Sequence, residues 1–302
     1  MNQALLDYYA EAGEVTDLSR HAEFVAWLTD DIRALTQVVQ GLLIHDGWLS
    51  GYETLRRPEQ LYETKIAFAA DLLDKAIELD GRSPAIPRAP GQRVICCCRE
   101  FATLLCAILR RKGVPARSRC GFATYLAWPG YYEDHWVCEY YSSAQGRWVL
   151  VDPQIDPLQQ SMLKMDIDPL DVARNRFINA GEAWKLYRSG SVGGDRFGIS
   201  CDPAPLGLET LYGPWFARGQ LLRDFASLNK VETVPYLVRV EQNQTWDAWR
   251  LVGIPDTDVT GEDLALLDEV AEIAADGGCL NAIRGLYAAH GDLQVPAEIL
   301  AR

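Results

Sequence analysis

Basic charge is in short supply in this chain. Its 29 lysines and arginines face 42 aspartates and glutamates, for a formal charge of −13 and a pI near 4.8. So acidic a protein lacks the basic face that non-specific nucleic-acid binding needs, and it suits an anionic membrane surface poorly. Long apolar runs are missing too: none approaches the roughly 20 residues that span a bilayer. The opening Met1-Asn2-Gln3-Ala4-Leu5-Leu6-Asp7 has neither the basic lead nor the apolar segment of a secretory signal, so the expected compartment is the cytoplasm. No run of alternating acids resembles a calcium loop, and no Cys-x-x-Cys pair offers a zinc knuckle. Cys96 and Cys98, with one residue between them, make a poor chelate, and no metal or other cofactor is expected. Histidine is rare, at four copies, so each one carries weight.

What remains is an ordinary globular composition, 48% apolar and 24% charged, in 302 residues that can bury one large core or two modest ones. The eight cysteines are residues 96, 97, 98, 106, 120, 138, 201 and 279. A disulfide scaffold staples small, loop-rich chains, and this chain is neither, so a reducing environment with free thiols is the better expectation.

Residues 1–80 read as helical. Tyr62, Ile66, Ala69, Leu73 and Ile77 recur at helical spacing, with Pro58 suited to a first turn. The proline- and glycine-rich segment 81–93 reads as a loop. A helix follows, with Phe101, Leu104, Leu105, Ile108 and Leu109 in one apolar stripe. Arg110, Arg111 and Lys112 sit where cations complement the helix dipole, and Gly113 and Pro115 stop the helix. Strands are expected at about 117–126, 135–141 and 147–152, the last two joined by a polar turn over Ser142–Gly146 as an antiparallel hairpin. The pattern is α+β, with helices packed on an antiparallel sheet.

Beyond Pro157 the chain is mainly helical, with pieces at Ala180–Trp184, at Gln220–Leu228 and over 262–290, the last broken at Gly277-Gly278. Trp184, Trp215, Trp246 and Trp249 are expected anchors for this half. The expected divisions are 1–54, an N-terminal helical segment; 55–200, a catalytic core; and 201–302, a separate helical domain or a lid.

Chemistry concentrates between Cys98 and Asp152. Cys98 opens a helix, where unpaired backbone N–H groups and the positive end of the dipole favour a thiolate and can stabilise an oxyanion. His135 lies in a strand, able to take the thiol proton and return it to a leaving group. Asp152 ends the next strand, where it can orient the imidazole provided the hairpin register turns both to one face. Cys96 and Cys97 rival Cys98, and Asp134 and Asp156 rival Asp152. The backbone N–H of Cys98 is one oxyanion donor and the Gln92 side chain another, although Gln92 also fits an exposed loop position. Trp128, Tyr131, Tyr132 and Trp136 either line a substrate cleft or cap the core.

These residues together resemble the transglutaminase-like superfamily. The matching elements are Cys98-x-Glu100-Phe101-Ala102, the leucine-rich helix, Gly113-Val114-Pro115-Ala116-Arg117, a histidine strand over 135–139 with a nearby Trp, and Trp148-x-x-Val151-Asp152-Pro153. Cys98 to Gly113 is fifteen residues and His135 to Asp152 seventeen, and Glu100 and Gly113 together pick out Cys98 from its neighbours. One departure is that Trp136 follows the histidine directly. The resemblance implies a papain/transglutaminase-like core, a Cys98–His135–Asp152 triad and a thioester intermediate. Deamidation, amide hydrolysis and transamidation are all open to it. The implied partners are a peptide, protein or small-molecule acyl donor and, for transamidation, an amine. The alternatives are a catalytically inactive interaction module that keeps the fold, and a protein forming amide bonds on carrier-bound acyl groups.

Overall fold

A buried helix begins at the cysteine cluster, and the first half of the molecule is built around it. The computed structural model describes residues 2–60, 66–202, 210–233 and 248–300. These form two compact units: Gln3–Ser118 with Val137–Val172, and Arg119–Trp136 with the described part of Ala173–Arg302. Strands β3 and β4 each run from one unit into the other, between Ser118 and Arg119 and between Trp136 and Val137. No described helix is long and apolar enough to cross a membrane.

The first unit holds helices α1 (Gln3–Ala10), α2 (Ala22–Trp27) and α3 (Ile32–Leu42), strand β1 (Leu43–His45), helix α4 (Ala69–Leu79), strand β2 (Val94–Cys96) and helix α5 (Cys98–Arg111). The sheet follows as β3 (Ala116–Ala123), β4 (Tyr132–Ser142) and β5 (Arg147–Val151), then α6 (Pro157–Leu163). Helices α1 to α4 surround α5, which is buried from Cys98 through Arg110. The expected single stripe is therefore only part of its apolar contact. Arg110, in the last turn of α5 as expected, is buried and donates from Nε to the Ala116 carbonyl (2.8 Å) and from Nη1 to Thr16 Oγ1 (2.8 Å). Val39 and Leu42 of α3 and Leu72 and Leu73 of α4 join Phe101, Leu104, Leu105 and Ile108 and the inner sheet residues Cys138, Val149 and Val151 in one core.

Among the described residues, Pro58 opens a short 3-10 turn (Pro58–Gln60), and helix α4 begins at Ala69. Phe68 is extended (φ −95°, ψ 135°), and the Ala69 N–H bonds the Val15 carbonyl (2.9 Å) rather than an earlier turn. Tyr62 lies outside the described residues. The expected loop before the cysteines is real but not loose. Buried Arg88 donates to the carbonyls of Asp80, Arg82, Ser83 and Ile86 at 2.7–3.1 Å, and its own N–H bonds Gly41 O (2.9 Å). The chain then enters β2, which pairs in parallel with β1 (Leu43↔Val94 to His45↔Cys96).

In the sheet, β4 and β5 form the expected hairpin, from Cys138↔Val151 to Ser142↔Arg147. Gly146, at φ +65°, makes the turn with its N–H on Ser142 O (2.8 Å). The strand order is β5-β4-β3-β6. Between β3 and β4, Arg117 meets Glu139 (2.6 Å), and its guanidinium lies over Trp148 (4.4 Å) and Tyr9 (5.2 Å).

The second unit carries the other ends of β3 and β4. It continues as β6 (Phe177–Asn179), α7 (Ala180–Arg188), β7 (Phe197–Gly198), α8 (Pro214–Leu228), α9 (Arg250–Gly253), α10 (Gly261–Asp276), α11 (Leu280–Ala289) and α12 (Ala297–Leu300). The break between α10 and α11 falls at the expected glycines, with Gly277 at φ +59°. Strand β6 pairs antiparallel with β3 (Gly121↔Asn179), and β7 pairs in parallel with β4 (Tyr132↔Phe197). Buried α8 packs on α7, α9, α10 and α11. Trp184 and Trp249 are buried anchors, bonded through Nε1 to Asp268 (2.8 Å) and the Asp292 carbonyl (2.8 Å); Trp215 is half-buried, and Trp246 lies outside the described residues.

Polar side chains also tie α8 to the sheet. Arg119 grips Asp224 through Nε (2.9 Å) and Nη2 (2.8 Å) and reaches the Ala274 carbonyl (2.8 Å). Asp134 accepts from the Gln220 amide, whose carbonyl takes Arg223 Nη1 (3.1 Å). Poor solvation pushes the Asp134 carboxyl up to about 7, with nearby Glu133 adding to the rise and Arg223, His135 and Gln220 opposing it.

Two predictions concern the second unit. A Cβ at Gly181 on α7 would stand 2.6 Å from both Ala271 O and Ala275 N of α10. Gly181→Ala should cost more than about 2 kcal/mol in a urea titration, whereas Gly285→Ala, exposed on α11 with open space around it, should be neutral or add about 0.5–1 kcal/mol. An acid whose folded pKa is raised stabilises the fold fully below its unfolded pKa and loses that contribution as pH climbs to the folded value. Asp134→Asn, which keeps an acceptor for Gln220, should flatten the fall in urea midpoint between about pH 4 and pH 7. Because Asp134 retains some solvent contact, the gain over wild type at pH 8 should be about 1–3 kcal/mol.

Candidate active site

The thiol of Cys98 owes its position to the residues on either side of it. Cys97 is extended (φ −106°, ψ 178°) and ends the strand direction of β2, so helix α5 starts at Cys98. The carboxylate of Glu100 turns back and accepts the Cys97 N–H (2.9 Å), which closes the first turn. Arg99 Nη1 meets Glu100 Oε1 at 3.1 Å, with both side chains fully buried. Burial pushes the Glu100 carboxyl up, while Arg99 and the Cys97 N–H hold it down. Cys98 itself is 7% exposed.

The other cysteines have different surroundings. Cys138 and Cys106 form a buried thiol pair in the core, and burial followed by the bond to Cys106 pushes the Cys138 thiol well up. Burial does the same to Cys120. Cys96 is buried within β2, and Cys201 and Cys279 are exposed. Cys97 is half-buried just before the helix rather than in its first turn. Desolvated thiols resist ionisation, whereas a helix N-terminus favours it.

His135 is buried in β4, with its ring edge-on to Tyr125 (centroids 6.1 Å, 84°). Of the other histidines, His21 bonds Ala70 O (3.2 Å) and Asp74 (2.9 Å), and His45 accepts the Gly47 N–H (3.1 Å). Asp152 is fully buried at the end of β5. Its N–H donates to Pro169 O (2.7 Å), and its Oδ1 accepts the Gln154 N–H (3.1 Å). Beyond it a relay runs from Gln154 Nε2 to Gln159 Oε1 (3.3 Å), from Gln159 Nε2 to the Tyr52 hydroxyl (3.1 Å), and from that hydroxyl to Asp156 Oδ2 (2.8 Å). Asp156 also caps α6 through the N–H groups of Leu158 and Gln159, and Asp134 is engaged by Gln220, so both rival acids have structural partners. Nothing in the local sequence announces Tyr52, Gln154 or Gln159, because their meeting joins segments about a hundred residues apart.

Gln92 is exposed in a single 3-10 turn, with its N–H on Ala89 O (2.8 Å). The four aromatics divide between the two readings. Trp136 is fully buried and offers a cleft no surface, and Tyr132 packs on Phe197 (4.9 Å, 30°). Trp128 is 52% exposed and stacks on Tyr131 (4.5 Å, 36°). Both line a cleft of about 350 Å³ together with Asp195, Arg196, Ser200 and Tyr212. Among the described residues no three His, Cys, Asp or Glu side chains gather as a metal site needs.

Residues 81–153 match the family model of the transglutaminase-like superfamily. No curated protein matches the chain. Among solved structures, a candidate cysteine protease from Cytophaga hutchinsonii aligns at 15% identity and a TM-score of 0.35, covering 59% of this chain and 46% of that one. The chain thus spans about half the length of that relative. The matched segment holds the loop that Arg88 gathers, β2, α5, β3 and the β4–β5 hairpin as far as Pro153.

Proposed function

We propose that this protein is a thiol-dependent acyl-transfer enzyme acting on a carboxamide, with Cys98 as nucleophile, His135 as acid and base, and Asp152 as the group that orients the imidazole. The observation that carries this reading is the thiol at the first residue of a helix inside the segment that matches the superfamily. His135 takes the thiol proton, and the sulfur attacks the acyl carbon. The tetrahedral oxyanion draws on the N–H groups and the positive dipole end at the start of α5. The C–N bond then breaks, the imidazolium returns its proton to the leaving ammonia or amine, and a thioester remains. Water, deprotonated by His135, completes hydrolysis or deamidation; an amine makes a new amide instead. Peptide and protein amides are the proposed donors.

The hairpin register supports the third role. Continuing the pairing Cys138↔Val151 by one step sets Asp152 opposite Val137, and alternation along β4 turns Val137 and His135 the same way. The Gln154 N–H on Asp152 Oδ1 holds the carboxylate in one orientation, as a group that aligns an imidazole must be held.

Alkylation tests the assignment. With exposed Cys201 and Cys279 replaced by Ser, iodoacetamide at pH 7 should label the protein in a fast phase. Cys98→Ala should remove that phase and lower ammonia release from glutamine peptides by about a thousandfold or more, while Cys97→Ala should retain the fast phase. His135→Ala should move the pH midpoint of labelling up toward about 8.5, the value of a free thiol. Equal labelling of the Cys97 and Cys98 variants overturns the nucleophile assignment. Labelling no faster than a free thiol favours a catalytically inactive interaction module.

A further inference from the structure

The hydrogen bonds behind Asp152 run in one direction, and Asp156 sets it. An ionised carboxylate accepts and cannot donate. The Tyr52 hydroxyl therefore gives its proton to Asp156 Oδ2 (2.8 Å), and its lone pair takes the Gln159 amide (3.1 Å). Burial and the bond to Asp156 keep that hydroxyl protonated, against the opposing influence of Gln159 and of Arg93, whose guanidinium lies over the Tyr52 ring (5.6 Å). With Nε2 committed to Tyr52, Gln159 turns its carbonyl toward Gln154, and Gln154 answers with its own Nε2 (3.3 Å). Gln154 Oε1 is buried with no partner among the described residues, so Gln159 is the hold on this side chain. The Gln154 N–H then fixes Asp152 Oδ1 (3.1 Å). Every residue of the chain belongs to the first unit.

Tyr52 contributes what the segment after β5 cannot supply for itself. Gln154, Asp156 and Gln159 are neighbours around the start of α6, whereas Tyr52 ends the 3-10 helix Asp46–Tyr52, 104 residues before Asp156. Its one hydroxyl joins the N-cap carboxylate of α6 to the Gln159 side chain and so fixes which way that amide faces. Gln154 and Gln159 are both buried, where turning either amide strands a desolvated polar group. We propose that Tyr52 is a positioning residue for catalysis: through Gln159 and Gln154 its hydroxyl holds the Asp152 carboxylate in the orientation that aligns the imidazole. This role rests on the reading of Asp152 as the orienting group and extends it to a residue from a distant segment. Without the hydroxyl, Gln159 Nε2 has no acceptor, the Gln154 side chain is free to turn, and the N–H on Asp152 loosens. A carboxylate that rotates stabilises an imidazolium less, so less thiolate forms at neutral pH.

A double-mutant cycle on Cys98 alkylation separates positioning from general stability. In the protein with Cys201 and Cys279 replaced by Ser, Tyr52→Phe keeps the ring and removes one oxygen. It should slow the fast iodoacetamide phase at pH 7 about threefold to tenfold and raise the pH midpoint of labelling. Gln159→Met, which cuts the chain one link closer to Asp152, should do the same. Asp152→Ala and Asp152→Asn should each slow the phase more, and on neither background should Tyr52→Phe slow it further. A Tyr52→Phe protein with unchanged rate and midpoint, or an equal loss with and without the Asp152 carboxylate, overturns the positioning role and leaves the triad standing. Asp152→Ala and Asp152→Asn proteins that label like the parent overturn the reading of Asp152 itself, and the role of Tyr52 with it.

Discussion

A single carboxylate, that of Glu100, sets the constraint on which the first unit depends. Helix α5 is buried along nearly its whole length, and a buried helix start exposes unsatisfied N–H groups to an environment without water. Glu100 relieves the Cys97 N–H, and Arg99 meets the charge of Glu100. With the residue before the helix satisfied in this way, the positive end of the dipole bears on the Cys98 thiol. A solvent-exposed helix start would offer the same field to water.

Buried ion pairs recur along β3 with a different use. Two residues apart, Arg117 takes Glu139 of β4, and Arg119 takes Asp224 of α8. Such pairs add little net stability, because desolvation offsets the attraction. Losing one partner leaves a buried charge alone at a cost of about 3–5 kcal/mol. They act instead as register pins. A one-residue slip of β4 against β3 turns Glu139 to the other face and strands Arg117, so an incorrect alignment of the histidine strand is penalised directly.

Much of this was legible in the sequence wherever a local signal existed. Gly113 and Pro115 ended α5 as expected, Ser142–Gly146 made the hairpin turn, and Gly277-Gly278 separated α10 from α11. Residues whose roles depend on distant partners were not legible. Arg110 sits in the last turn as its pattern indicates, but its bond to Thr16, ninety-four residues away, carries no local signal. The stretch before Ala69 has helical spacing, yet Phe68 is extended, because Val15 claims the Ala69 N–H. The aromatic cluster before His135 could not be divided from sequence, since only β7 explains why Tyr132 packs inward while Trp128 faces out. At the site, the motif carried the order of Cys98, His135 and Asp152, whereas the Tyr52–Gln159–Gln154 relay behind Asp152 depends wholly on tertiary placement.

The path of β3 and β4 bears on how this protein can be divided. Each strand begins or ends in one unit and finishes in the other, and residues 119–136 leave the first unit and return to it at Val137. No single cut in the gene therefore releases either half intact. A fragment stopping at residue 172 carries away part of the sheet of its missing companion, and one starting at 173 lacks the strands on which β6 and β7 are laid. Synthesis on the ribosome meets the same order: β3 and β4 emerge before β6 and β7, the strands that pair with their ends in the second unit.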